Sequence, residues 1–282
     1  MFTGASEQLK ATKNPRKGAK CSRRRRPRTK AAKDQYSEMP IILKNIEPRV
    51  RSAVKQYWGT LTTQAGRQGA VTGRADTGNR KAVTGGKQMD GFCDLLMGVL
   101  ADNGITKPII HRHSRLEIPG YFRPTKKWDM LIFHNEVLLA VIEFKSQAGS
   151  FGNNFNNRAE EAVGTANDAL VAYRERAFGD LAPKPWLGWL MLLEDCDDSR
   201  EVVAVKEPHF PVFPEFKDSS YAKRYEILLR KLRLENLFNE TALILTMESE
   251  AATGEYSEPA ADLSMHRFLA SFAGHIAGII AS

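Results

Sequence analysis

The sequence predicts an α/β protein with a mixed central β-sheet flanked by helices. Three observations carry that expectation: apolar stripes at helical spacing open and close the chain, short strand-like apolar runs fill its middle, and a long helical pattern follows the third of those runs. A length of 282 residues suits one large domain or two small ones. A composition of 42% hydrophobic and 26% charged residues excludes a disulfide framework, collagen and wholesale disorder. The longest apolar run, 137–142, is far short of a membrane span, so a soluble protein is expected. Cys21, Cys93 and Cys196 stand at no metal-ligand spacing, and the basic N-terminus has no apolar signal core; both point to a reducing cytoplasm.

The net charge of +8 is unevenly divided. Residues 1–33 hold twelve Lys or Arg against one acid, Glu7, a surplus of +11 that leaves −3 for the rest. Residues 1–39 are almost free of apolar side chains and include four consecutive arginines from Arg23 to Arg26, so they are expected to be a disordered basic tail. Such a tail could serve as an arm binding phosphates by counterion release. The favoured reading is a start codon placed too early, with Met39 the true start, leaving 40–282 as the folded domain.

The elements follow from the patterning. Ile42, Ile46, Val50, Val54, Tyr57 and Trp58 recur about every four residues and predict a first helix. Residues 59–87 contain seven glycines with Arg67, Arg74, Arg80, Lys81 and Lys87; so long a loop is seldom a bare connection, and it suits phosphate contact as well as a solvated linker. A second helix is expected at 88–102, with Met89, Phe92, Cys93, Leu96, Val99 and Leu100 inward and Asn103-Gly104 as its stop. Strands follow at 109–117, 129–133 and 137–145, the last two joined by 134–136. A polar loop, 146–157, leads to a helix at 158–178 whose stripe is Ala159, Val163, Ala166, Leu170, Tyr173 and Ala177. Then come a strand at 186–193, an acidic turn, a candidate strand at 201–205, extended chain at 208–214, a helix at 218–237, a strand at 241–246 and a helix at 262–280.

The strands at 129–133 and 137–145 are apolar enough to be central, yet Asp129, Glu143 and Lys145 sit at their ends. Unpaired burial of such charges costs several kcal/mol as an order of magnitude, and a bound cation would supply a reason for them. Strand alternation puts Glu143 and Lys145 on one face, about 7 Å apart at their Cα atoms. Asp129 joins them only if the connection is three residues long, or if a two-residue turn is offset by a bulge. Two converging carboxylates form a hard-oxygen site for a divalent metal, most plausibly Mg²⁺. The Lys145 ammonium can orient an attacking water and offset charge developing on phosphorus.

Asp129, thirteen intervening residues, then Glu143-Phe144-Lys145 resembles the PD-(D/E)xK nuclease signature, and the expected element order resembles that superfamily's αβββαβ core. The signature's proline is replaced by Trp128, the nearest proline being Pro124. The wider text is similar to the XhoI-like type II restriction endonucleases: Gly86-Lys87-Gln88-Met89-Asp90-Gly91, Glu143-Phe144-Lys145-Ser146-Gln147, and Ser150-Phe151-Gly152-Asn153-Asn154-Phe155-Asn156-Asn157-Arg158. That resemblance implies an Mg²⁺-dependent homodimer cutting double-stranded DNA within the palindrome CTCGAG, leaving 5′ overhangs, in a host protected by a cognate DNA methyltransferase. It places Asp129 and Glu143 on the metal and Lys145 beside the attacking water.

Further candidates are weaker. Glu117 could enter a second metal position. Asn153, Asn154, Asn156, Asn157, Arg158 and Gln147 could read bases, since Asn pairs bidentately with adenine and Arg with guanine; the rival reading is a turn and a helix cap. Lys87 and Arg80 are candidate DNA contacts. His111-Arg112-His113 lacks two further ligands for zinc and suits a phosphate-contacting or surface pair. Trp186 and Trp189 are expected to pack the sheet. The alternatives are a structure-specific repair or resolving nuclease of the same fold, and a non-catalytic DNA-binding protein.

Overall fold

The computed structural model describes residues 40–72 and 87–281. The expected basic tail at 1–39 and residues 73–86 of the glycine-rich stretch, Arg80 among them, lie outside the described residues. In chain order the elements are α1 (Ile46–Thr72), α2 (Asp90–Asp102), β1 (Ile109–His111), β2 (Glu117–Pro119), β3 (Thr125–Lys127), β4 (Met130–His134), β5 (Val137–Gln147), α3 (Phe151–Arg174), β6 (Trp186–Glu194), α4 (Asp197–Arg200), α5 (Tyr221–Leu234), β7 (Glu240–Thr246) and α6 (Met265–Ala281).

The main sheet has the order β1-β4-β5-β6-β7, antiparallel from β1 to β5 and parallel from β5 to β7. This is the mixed sheet that the apolar runs predict. Alternation sorts its side chains onto two faces. Met130, Ile132, Ile142, Leu190 and Ile244 pack with α1, α2 and α6, while Leu131, Val141, Trp189, Met191 and Leu243 pack with α3 and α5. Trp186 and Trp189 are each 1% exposed and fall on opposite faces, which bears out sheet packing. Burying a large apolar side chain in this way contributes about 1.5–3 kcal/mol. Gly188 makes room for Trp186: a Cβ there would stand 2.2 Å from the indole ring.

The β4–β5 hairpin decides the site. Its turn is only Asn135-Glu136, with φ of 48° and 66°, the left-handed pair that a tight two-residue hairpin demands. His134 pairs with Val137 and Phe133 with Leu138, but Ile132 pairs with Ala140, so Leu139 is an extra residue in a bulge. Its mark is that consecutive Leu139 and Ala140 both enter the α1/α2/α6 core. Beyond the bulge Met130 pairs with Ile142, and the register continues to put Asp129 opposite Glu143. Of the two geometries that could align these carboxylates, the structure uses the short turn with a bulge.

Several expected boundaries are corrected. α1 continues through Gly59 to Thr72, so residues 59–72 are helix and not loop. The hydroxyls of Thr60, Thr62 and Thr63 donate to carbonyls four residues back, satisfying themselves within the helix. The expected strand at 109–117 is two: β1 in the main sheet and β2 in a separate ribbon with β3. The polar loop 146–157 shrinks to residues 148–150, because β5 runs to Gln147 and α3 starts at Phe151. Gly149 and Ser150 turn this corner with φ of 73° and 51°. The buried stripe of α3 is Ala162, Ala166, Ala169 and Ala172, leaving Val163 exposed; small side chains let the helix lie close to the sheet. At 201–205 only an isolated bridge, Val202 to Ser220, forms. Among the described residues no helix is long and apolar enough to cross a membrane.

Candidate active site

Asp129, Glu143 and Lys145 come together on the α3 face of the sheet, at the mouth of an open cleft of about 1390 Å³. Asp129 immediately precedes β4, and its Oδ2 accepts the backbone N–H of Phe144 at 2.8 Å, which ties the carboxylate to the neighbouring strand. Glu143, 2% exposed, accepts from Lys145 Nζ at 2.6 Å and from Lys126 Nζ at 3.3 Å through each oxygen. The two ammonium groups also lie over indole rings, Lys126 over Trp128 at 4.9 Å and Lys145 over Trp189 at 5.6 Å. These rings form low-dielectric walls that strengthen every charge interaction between them.

The electrostatics follow from burial and like charge. Burial, then the Glu143 charge, push the Asp129 carboxyl up from 3.8 to about 6, against the opposing pull of Lys145, the Phe144 N–H and Lys126. Burial lowers the Lys145 ammonium, but Glu143, Asp129 and Glu161 outweigh it and hold that pKa above the ordinary lysine value. The site therefore keeps Lys145 charged and leaves Asp129 the strained member. Among the described residues Asp129 has no ion-pair partner, while its neighbour carries two.

Sequence reasoning missed Glu161. Its Oε1 accepts from Lys145 Nζ at 2.8 Å and its Oε2 from Arg158 Nη1 at 2.8 Å. Burial raises its pKa, yet Lys145 and Arg158 outweigh this and hold it below the ordinary glutamate range. The signal was a matter of distance. From Phe151 to Glu161 a helix rises about 15 Å, and from Gln147 back to Glu143 a strand covers about 13 Å, so a sharp corner brings residue 161 level with the strand end that carries Glu143 and Lys145. With the helix start set at 158 that coincidence was hidden.

The remaining candidates divide. Lys87, Asn154 and Arg158 line the cleft, as do Arg112, Lys126 and Lys127. Asn156 lines a separate pocket beside Phe155, Phe213 and Arg224, and Asn157 is exposed. The side chain of Asn153 lies outside the described residues. The expected cluster is dispersed because helical residues advance about 100° each. Gln147 also lines the cleft, but its amide is engaged: Nε2 donates to the Gly149 carbonyl at 3.2 Å and Oε1 accepts the Tyr225 hydroxyl. Glu117 is exposed on the small ribbon, opposite Lys127, and is not among the cleft-lining residues, so the structure does not bring it together with Asp129 and Glu143. Arg112 is ion-paired to Asp94, and His113 Nε2 stands 3.9 Å from Asp90, while His111 packs edge-on against Phe133.

Among the described residues no group of three His, Cys, Asp or Glu side chains is placed to hold a metal. The donor set here is two carboxylates. It fits a hard divalent cation, because Asp129 is a half-buried acid beside a like charge, and a cation would offset both the desolvation and the repulsion that raise its pKa.

A family model described as Restriction endonuclease XhoI matches residues 68–258. The chain is 50% identical over 208 residues to a type II restriction enzyme, BstVI, of Geobacillus stearothermophilus, spanning 72% of this chain and 92% of that one. It is 46% identical over 202 residues to the type II restriction enzyme XhoI of Xanthomonas vasicola, spanning 70% and 79%. It is 46% identical over 174 residues to the type II restriction enzyme AbrI of Azospirillum brasilense, spanning 61% and 77%. No solved structure matches the chain.

Proposed function

Because the chain belongs to the XhoI restriction endonuclease family and is a type II site-specific deoxyribonuclease, we propose that it hydrolyses double-stranded DNA with the Asp129, Glu143 and Lys145 group, within the palindrome CTCGAG, leaving 5′ overhangs. The observation that carries this reading is the convergence of those three side chains on one face at an open cleft. The same convergence, on a mixed sheet preceded and followed by helices, supports a PD-(D/E)xK core within 40–282.

Asp129 and Glu143 would hold Mg²⁺, which when bound supplies Lewis-acid polarisation of a phosphate oxygen and a lower pKa for the attacking water. Lys145 points its charged Nζ at the same place and orients the water in line with the scissile bond. Its positive charge also offsets the negative charge that grows on phosphorus during attack. Lys126, Lys127, Lys87 and Arg158 line the cleft as cations and hold the flanking phosphates through counterion release. Asn154, which lines the cleft, would meet a base edge. A palindromic site is matched most simply by a homodimer with two symmetry-related cuts. In the cytoplasm of the host a methyltransferase of the same specificity would spare the chromosome.

Digestion of a sequenced plasmid with Mg²⁺, followed by mapping of the ends, tests the reading. Ends at CTCGAG with 5′ overhangs, and loss of at least about 10³-fold in cleavage for Lys145→Ala with DNA binding kept in Ca²⁺, are expected. Ends elsewhere would refute the specificity, and undiminished cutting by Lys145→Ala would refute the assignment of the site.

A further inference from the structure

Glu161 splits its two oxygens between two cations with different tasks. Oε1 holds the Lys145 ammonium that also lies on Glu143, and Oε2 holds the Arg158 guanidinium that lines the cleft. Arg158 is poorly satisfied: its Nε is buried and has no partner, and the bond to Glu161 uses one of its five donors. A phosphate or a guanine edge offers that guanidinium the paired acceptors it lacks. Around the site three cations, Lys126, Lys145 and Arg158, face three carboxylates, Asp129, Glu143 and Glu161. Any new partner for one of them therefore redistributes the rest.

We propose that Glu161 is a positioning residue that couples DNA engagement by Arg158 to the placement of Lys145. This rests on the endonuclease reading and deepens it. With no DNA in the cleft, Glu161 is shared and Lys145 leans on Glu143 at 2.6 Å as well as on Glu161 at 2.8 Å. When Arg158 turns to DNA, the whole charge of Glu161 falls to Lys145. Glu143 would then be free to hold a divalent cation, with Glu161 as the anchor that keeps Nζ beside the reacting centre. A site not contacted by Arg158 leaves Glu161 shared and Lys145 less firmly held, so recognition and chemistry share one carboxylate.

The test is a double-mutant cycle on single-turnover cleavage at saturating DNA, with DNA affinity measured separately in Ca²⁺. Glu161→Gln should slow cleavage on the order of 10²-fold, the scale of a misplaced catalytic group, while affinity in Ca²⁺ and the melting temperature stay close to wild type. Arg158→Ala should weaken affinity and, by leaving Glu161 to Lys145 on every duplex, shrink the ratio of cleavage rates between a cognate site and one with a single base pair changed; combining it with Glu161→Gln should shrink that ratio little beyond Glu161→Gln alone. Glu161→Asp, which keeps the charge, should recover part of the rate, and it replaces Glu161→Gln in the cycle if the amide variant does not fold. A Glu161→Gln enzyme that cuts at the wild-type rate, or two effects that simply multiply, would overturn the coupling. Wild-type protein that cuts no duplex at all would instead remove the endonuclease reading beneath it.

Discussion

Replacing Asp129 by asparagine should make the metal-free protein more stable at alkaline pH while abolishing cleavage. Asparagine is nearly isosteric and its Oδ1 can still accept the Phe144 N–H. The native carboxyl titrates near 6 in place of 3.8, a displacement worth about 3 kcal/mol at 1.36 kcal/mol per unit. The sign follows from which state keeps the proton. Between pH 3.8 and about 6 the unfolded chain has released it and the native chain has not, so stability falls as pH rises, and above about 6 the whole amount is lost. At pH 5 about 1.6 kcal/mol of that loss is already incurred, leaving about 1.4 kcal/mol between pH 5 and pH 8. Asparagine carries no titrating proton, so the variant should gain about 1.4 kcal/mol on wild type between these two pH values. Urea unfolding in EDTA, followed by tryptophan fluorescence, measures both proteins under the same conditions. Millimolar Mg²⁺ at pH 8 should then stabilise wild type and leave the variant unmoved, through ligand linkage to the native state. A stability gap that is the same at both pH values, or that moves in favour of wild type, would refute the claim that Asp129 is a strained acid awaiting a cation.

Three further expectations come from other parts of the molecule. Gly188→Ala should lower the melting temperature by the equivalent of about 1–3 kcal/mol, since the new Cβ would press on the Trp186 ring at 2.2 Å and on Phe268 at 2.9 Å; an unchanged melting curve would show that the rings shift freely. Asp168→Ala should cost about 2–4 kcal/mol and expose residues 120–123 to limited proteolysis, because it removes the acceptor for the Tyr121 and Phe122 N–H groups and for Arg123 Nε; protease resistance equal to wild type would count against that anchor. Lys127→Ala should weaken binding to all DNA sequences alike and reduce the slope of log affinity against log salt by about 0.9, whereas a change confined to one sequence would mean that Lys127 reads bases.

The sheet and its flanking helices were legible because apolar periodicity reports burial directly: the strand at 186–194 is apolar over nearly its full length, and the one at 240–246 is apolar from Ala242 to Leu245. The convergence of Asp129, Glu143 and Lys145 was legible too, since they are charges interrupting apolar strands. The bulge could be posed only as one of two options. Residues 137–142 are uniformly apolar, so the point where Leu139 and Ala140 share a face leaves no break in the pattern. The start of α3 was misplaced because Gly152 and four asparagines read as a turn, although in the structure they occupy the opening turns of a helix. That error concealed Glu161 and suggested a compact asparagine patch, which the helix spreads toward different surroundings. The continuation of α1 past Gly59 was hidden in the same way, by glycines that mark loops on average and are tolerated in helices at modest cost.

Arg158, Glu161 and Asp168 lie three and seven residues apart along α3, on one side of a rod that spans about 15 Å between the first and the last of them. Glu161 fixes one of the ammoniums on Glu143, while Asp168 pins the tip of the β2–β3 ribbon that carries the other. A single helix thus gauges the distance between the two cations, and a small roll about its axis would swing both sideways in step. Between the two attachment points stands Gly164, with open space where a side chain would be. A glycine inside a helix costs about 0.5–1 kcal/mol relative to alanine, so the rod is weakened where bending would set the lysines out of step.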